Sequence, residues 1–146
     1  MTVASYVGTF NTPTSTGNQT ISLPAGFTPS AVIIWGVPLS SAGWSSVGDQ
    51  FSIGFCAGAG GASQGYISIA GKGGADPSAE YRRYSASAAI GMVQYDGTLL
   101  YEATLYGLNS GDFILNWTTV SATSYEFNFL ALTGVPAKVV HWTSNT

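Results

Sequence analysis

Phe113-Ile114-Leu115-Asn116-Trp117 alternates, with Phe113, Leu115 and Trp117 on one side and Ile114 and Asn116 on the other. A repeat of two is the signature of a strand, and its row of large apolar side chains marks the face turned to a core. A second row follows after a short polar stretch, in Tyr125, Phe127, Phe129 and Ala131. Two successive strands that each bury one face predict an antiparallel β architecture, and the rest of the chain is read outward from them.

Upstream, Asp96-Gly97 separates two strand-like runs, Ala86 to Tyr95 and Thr98 to Tyr106, and predicts a two-residue hairpin of type I′. Asn109-Ser110-Gly111 supplies another turn before Asp112. At the N-terminal end, Val3, Ser5, Val7 and Thr9 alternate with Ala4, Tyr6, Gly8 and Phe10, and Gln19 to Leu23 gives a short strand. Ala31 to Trp35 is a β-branched run that reads as buried on both faces. Gln50 to Cys56 sets Phe51, Ile53 and Phe55 on one side. Tyr66 to Ala70 is strand-like, Ser78 to Tyr84 is ambiguous, and Lys138 to Thr143 reads as a closing strand. No window of eleven residues keeps helical spacing. The expectation is one all-β domain over residues 1–146, an antiparallel β-sandwich of jelly-roll-like form with nine or ten strands and little helix.

Composition narrows the function. Only 8% of the 146 residues are charged, against roughly 25% in an average domain. Gly, Ser and Thr together make up 52 residues, and aromatics 13%. With only four basic residues, Lys72, Arg82, Arg83 and Lys138, the chain lacks the basic face of a nucleic-acid binder. No run approaches the ~18 apolar residues of a membrane span. Cys56 has no partner for a disulfide. Met1 to Phe10 lacks the basic and apolar regions of a secretory signal, which fits synthesis in a reducing cytoplasm. A surface poor in ions suits a protein that is packed against copies of itself or other chains.

Reactive chemistry is weakly signalled. His141, the one histidine, has no orienting group beside it in sequence and reads as an interface or part-buried residue. Asp96 and Asp112 read as turn formers, and Glu102 as a mid-strand carboxylate facing solvent or a neighbouring subunit. Gly71-Lys72-Gly73-Gly74 lacks the Ser or Thr and the helix of a phosphate loop. No Asp-rich or Cys/His cluster predicts a metal, and no cofactor is expected. Tyr81-Arg82-Arg83-Tyr84 concentrates half of the positive charge between aromatic residues, a composition favoured at interfaces. Trp44, in a Ser/Gly-rich loop, can stack on a sugar, anchor a subunit contact or fold back on the core.

One resemblance covers nearly the whole chain. Val7-Gly8-Thr9-Phe10, Asn18-Gln19-Thr20-Ile21, the run Gly26 to Trp35, Phe51-Ser52-Ile53-Gly54-Phe55, Gly111 to Trp117 and Phe129 to Gly134 follow in an order that resembles a β-sandwich domain of tailed-bacteriophage virion proteins. Trp117 and Leu130-Ala131 are also similar to H-type lectin-like domains of some phage fibres. The resemblance implies a structural protein without catalytic residues. It would be a capsid decoration (cement) protein on the virion exterior, forming a homotrimer and contacting the major capsid protein. The alternative is a tail-associated module that binds a receptor or glycan, with Trp44, Tyr81 and Tyr84 as stacking platforms.

Overall fold

The computed structural model describes residues 3–38, 49–58, 63–72 and 80–134. They form ten strands: β1 (Ala4–Asn11), β2 (Gly17–Ser22), β3 (Ala31–Gly36), β4 (Asp49–Ala57), β5 (Ser63–Gly71), β6 (Glu80–Ser85), β7 (Ile90–Val93), β8 (Leu99–Asn109), β9 (Asp112–Thr119) and β10 (Glu126–Thr133). They pair antiparallel in two sheets, a six-stranded one in the order β1-β10-β3-β4-β5-β6 and a four-stranded one in the order β2-β9-β8-β7. The all-β expectation holds, and the two sheets enclose one core. The predicted strand at Lys138 to Thr143 lies outside the described residues.

The core varies in thickness. Beneath β1, β10 and β3 it is aromatic: Phe10, Phe113, Trp117, Phe127 and Phe129 are all buried. The Phe113 and Phe129 rings meet edge-on with centroids 5.1 Å apart, a favourable arrangement for their quadrupoles. The Trp117 ring N–H donates to Gln19 Oε1 at 2.9 Å, so its burial leaves no unpaired donor. Gln19 in turn donates to the Asn11 carbonyl at 2.7 Å, linking the two sheets at this side.

Beneath β4 and β5 the core is thin. The inward positions there include Ser52, Gly54 and Ser68, and β7 lies directly on them. A Cβ on Gly54 would stand 1.9 Å from the carbonyl oxygen of Ala89, so only glycine admits this approach. Ser52 donates to the Gly91 carbonyl, and Ser68 Oγ accepts the Val93 N–H at 3.0 Å. Backbone groups of one sheet are thereby satisfied by short side chains of the other.

Three local expectations are corrected. The hairpin at Asp96-Gly97 is not of type I′, because among the described residues none other than glycine has positive φ. The Gly97 N–H instead donates to the Gln94 carbonyl at 3.0 Å, and Gln94 N–H to the Thr98 carbonyl at 2.7 Å. Asp96 keeps negative φ and accepts from both the amide and the hydroxyl of Thr98, which hold its carboxyl below the usual range. Gly97 alone takes the left-handed position, at φ +86°. Second, the β3 run is not buried on both faces, since Ile33 and Trp35 are only half-buried. Third, Glu102 does not face solvent freely: it accepts a hydrogen bond from Tyr66 at 2.7 Å.

The thin region makes a testable demand. Gly54→Ala is expected to lower Tm by roughly 5–10 °C, because backbone rather than a flexible side chain must yield. Gly71→Ala, with nothing within 4 Å of the added carbon, should leave Tm within about 2 °C. Thermal unfolding of both variants by circular dichroism checks this.

Candidate functional site

Small inner residues on β4 and β5 have a consequence on the opposite side of the sheet. Alternation sends their large apolar partners outward: Phe51, Ile53 and Phe55 from β4, and Ile67 and Ile69 from β5. Register then aligns these with neighbours into rows. Val7, Leu130, Ile33 and Phe55 lie side by side across β1, β10, β3 and β4. Trp35, Ile53, Ile67 and Tyr84 do so across β3, β4, β5 and β6. A third row runs from Phe51 through Ile69 to Arg82.

Among the described residues, these rows form one continuous apolar face over all six strands, about 24 Å across at ~4.8 Å per strand. Ile67 is 53% exposed, Ile69 47%, Val7 64% and Tyr84 58%. Together with Phe51 and Ile53 they present roughly 600 Å² of apolar surface, the upper end for a typical monomer and a mark of an interaction site. Among the described residues, the outward charges on its β6 margin are Arg82 and Glu80, which pair with each other at 2.8 Å on a solvent-exposed edge.

The sequence cluster Tyr81-Arg82-Arg83-Tyr84 sits on β6, and strand alternation divides it. Arg82 and Tyr84 face outward with the apolar rows. Arg83 turns inward, where its Nε donates to Tyr66 Oη at 2.6 Å and its Nη2 to Glu102 at 3.2 Å. Tyr66 itself is fully buried, and its hydroxyl donates to Glu102. The ring occupies space that Gly91 leaves open, since a Cβ there would lie 2.2 Å from the phenol carbon. Arg83, Tyr66 and Glu102 thus form a clamp between β6, β5 and β8, and hence between the sheets. Tyr81 packs over Gly97 and borders a shallow depression of about 270 Å³ lined by Asp49, Ile69, Glu80 and Arg82, among others.

Trp44 and His141 lie outside the described residues. Of the cluster on β6, Arg82 and Tyr84 stand on the same side of the sheet as the apolar rows, and Tyr81 and Arg83 on the other. Sequence reading missed the larger feature, the outer face of β4 and β5. Its signal lies in the alternate positions: Ser52, Gly54 and Ser68 are too small to fill a sandwich whose sheets stand ~10 Å apart.

Burial raises the pKa of three enclosed groups, Tyr66, Cys56 and Tyr101. Burial, followed by the hydrogen bond to Glu102, pushes the Tyr66 hydroxyl up to about 12. Burial likewise pushes the Cys56 thiol up to about 12, which keeps it protonated and unreactive. Among the described residues no group of three or more His, Cys, Asp or Glu side chains is placed to hold a metal ion. Comparison with protein-family models, curated proteins and solved structures finds no match to this chain.

The clamp has a pH signature. A folded-state hydroxyl raised above its unfolded value contributes stability that is complete below about pH 10 and is lost as the pH climbs toward about 12. Tyr66→Phe should cost roughly 1–2 kcal/mol at neutral pH and show a shallower fall of Tm between pH 10 and 12 than the parent. Denaturation at neutral pH and a pH series of melting curves read both effects.

Proposed function

We propose that this chain is a structural, contact-making protein of a bacteriophage particle, a decoration protein that adheres to the outer shell through the apolar face of its six-stranded sheet. The observation that carries the reading is that face. Roughly 600 Å² of aliphatic and aromatic surface approaches the ~800 Å² that each partner contributes to a standard stable interface. Its near absence of charge means that docking strips water from few ions. The occupant fitting such a surface is a flat apolar patch on a shell subunit, repeated in many copies. Binding the assembled shell and not the separate subunits stabilises the shell by mass action, by about 2.7 kcal/mol per site at a hundredfold excess over Kd. The protein acts by adhesion rather than catalysis, is made in the host cytoplasm and ends on the virion exterior.

A receptor- or glycan-binding role at the tail is the second reading, favoured by the depression beside Tyr81. Its aromatic edge, the carboxylates of Asp49 and Glu80 and the guanidinium of Arg82 are groups that grip sugar hydroxyls. Binding to a sugar array that disappears in Tyr81→Ala would favour it.

Imaging of the virion by electron cryo-microscopy tests the leading reading. The expected result is density for this chain on the capsid exterior, with the β4–β5 face against the shell. Shells stripped of the protein should rebind Ile67→Glu at least ten-fold more weakly than the parent chain. Density confined to the tail tip, or undiminished rebinding, rejects it.

A further inference from the structure

The two edges of the six-stranded sheet are built differently. β6 is guarded. Its sequence, Glu80 to Ser85, carries three charges in six residues, and antiparallel pairing of two β6 strands about Arg82 or about Arg83 would set that arginine opposite its own mate in the second copy. β1 has no such guard. From Ala4 to Asn11 it holds no charge and no proline, and all eight residues pair with β10 in unbroken register without a bulge. Among the described residues β10 lies on one side of β1 and no strand lies on the other. Natural sheets protect long edges with charge, proline, bulges or brevity, and β1 uses none of these.

We propose that β1 is a self-association edge: it pairs antiparallel with β1 of a second copy and joins two six-stranded sheets into one of twelve. This builds on the reading of the chain as a contact-making protein but uses a different surface, the sheet edge instead of its face. The occupant is a second copy because an uncharged strand meets itself without repulsion. Antiparallel partners must share a face, so opposed residue numbers sum to an even number. A two-fold axis at Val7 satisfies this. It sets Val7 against its mate, Ser5 against Thr9 and Tyr6 against Gly8. That register covers Val7, the most exposed large apolar side chain of the strand at 64%. A shift by one residue in each strand would oppose Val7 to Thr9 and gain less. The pairing is two-fold, giving a dimer in place of the trimer expected from the resemblance. It also makes the outer apolar rows of the two copies continuous through Val7.

The full-length chain in isolation tests this, without any shell. Light scattering after size exclusion should give twice the 15.1 kDa chain mass for the parent protein. Val7→Lys, at an exposed position, should retain the parent melting curve and raise the dimer dissociation constant at least thirty-fold. Thr9→Lys, also exposed, serves if Val7→Lys unfolds. Ile67→Glu, on the face, should leave the dimer unchanged while weakening shell binding, and Thr9→Lys, outside the apolar rows, should break the dimer and leave shell binding within about two-fold, so the edge and the face fail separately. Val7→Cys should form an intermolecular disulfide under copper-phenanthroline oxidation, whereas Ile67→Cys should not. A monomer at 200 µM, a trimer or larger ring, or a dimer indifferent to both lysine variants would overturn the proposal.

Discussion

The close seating of β7 on β4 and β5 governs the rest of the molecule. Gly54 removes the one atom that would hold the Ala89 carbonyl away, and Ser52 and Ser68 satisfy the backbone groups brought in by the approach. An inner layer this thin has no volume for Phe51, Ile53, Ile67 or Ile69. A strand has only two sides, so these residues must stand on the other one. The apolar outer face is therefore a geometric consequence of the inner contact. An extended apolar surface also needs a covering, because uncovered patches of this size invite nonspecific association.

The polar ties act at the two flanks of the sandwich. On one, Trp117, Gln19 and Asn11 join the sheets; on the other, Arg83, Tyr66 and Glu102 do. Among the described residues no buried side-chain nitrogen or oxygen lacks a partner. That is a demanding condition in a core where Tyr66, Tyr101 and Trp117 are fully enclosed, since each carries a polar atom that costs free energy if left unpaired. It also explains why the Arg83 side chain reaches in to Tyr66 and Glu102, whereas Arg82 and Glu80 pair with each other on the exposed outer side of β6. The two edges of the large sheet consequently differ in character. β6 carries charges that discourage further pairing, whereas β1 offers plain backbone and small or apolar side chains.

Much of this was legible before folding. The strands at Asp112–Thr119 and Glu126–Thr133 follow from alternation of large apolar residues, and Phe113, Leu115, Trp117, Phe127 and Phe129 occupy the core as that pattern requires. Asp96 and Asp112 serve in turns, because a short carboxylate reaches local donors whatever the distant structure does. β6 was ambiguous because its six residues mix charge and aromatic without an apolar row. Its place in the sheet depends on register with β5.

Sequence by itself determined the all-β class, the positions of most strands and turns, and the scarcity of charge, since these rest on local periodicity and composition. Only the tertiary structure decided which side of β4 and β5 faces inward, how Tyr81 to Tyr84 divides, and that Glu102 receives Tyr66 and Arg83. A two-residue period marks two sides of a strand but gives them no sign. The sign is set by what presses from across the sandwich, and for Ser52 that is the Gly91 carbonyl, 39 positions away along the chain.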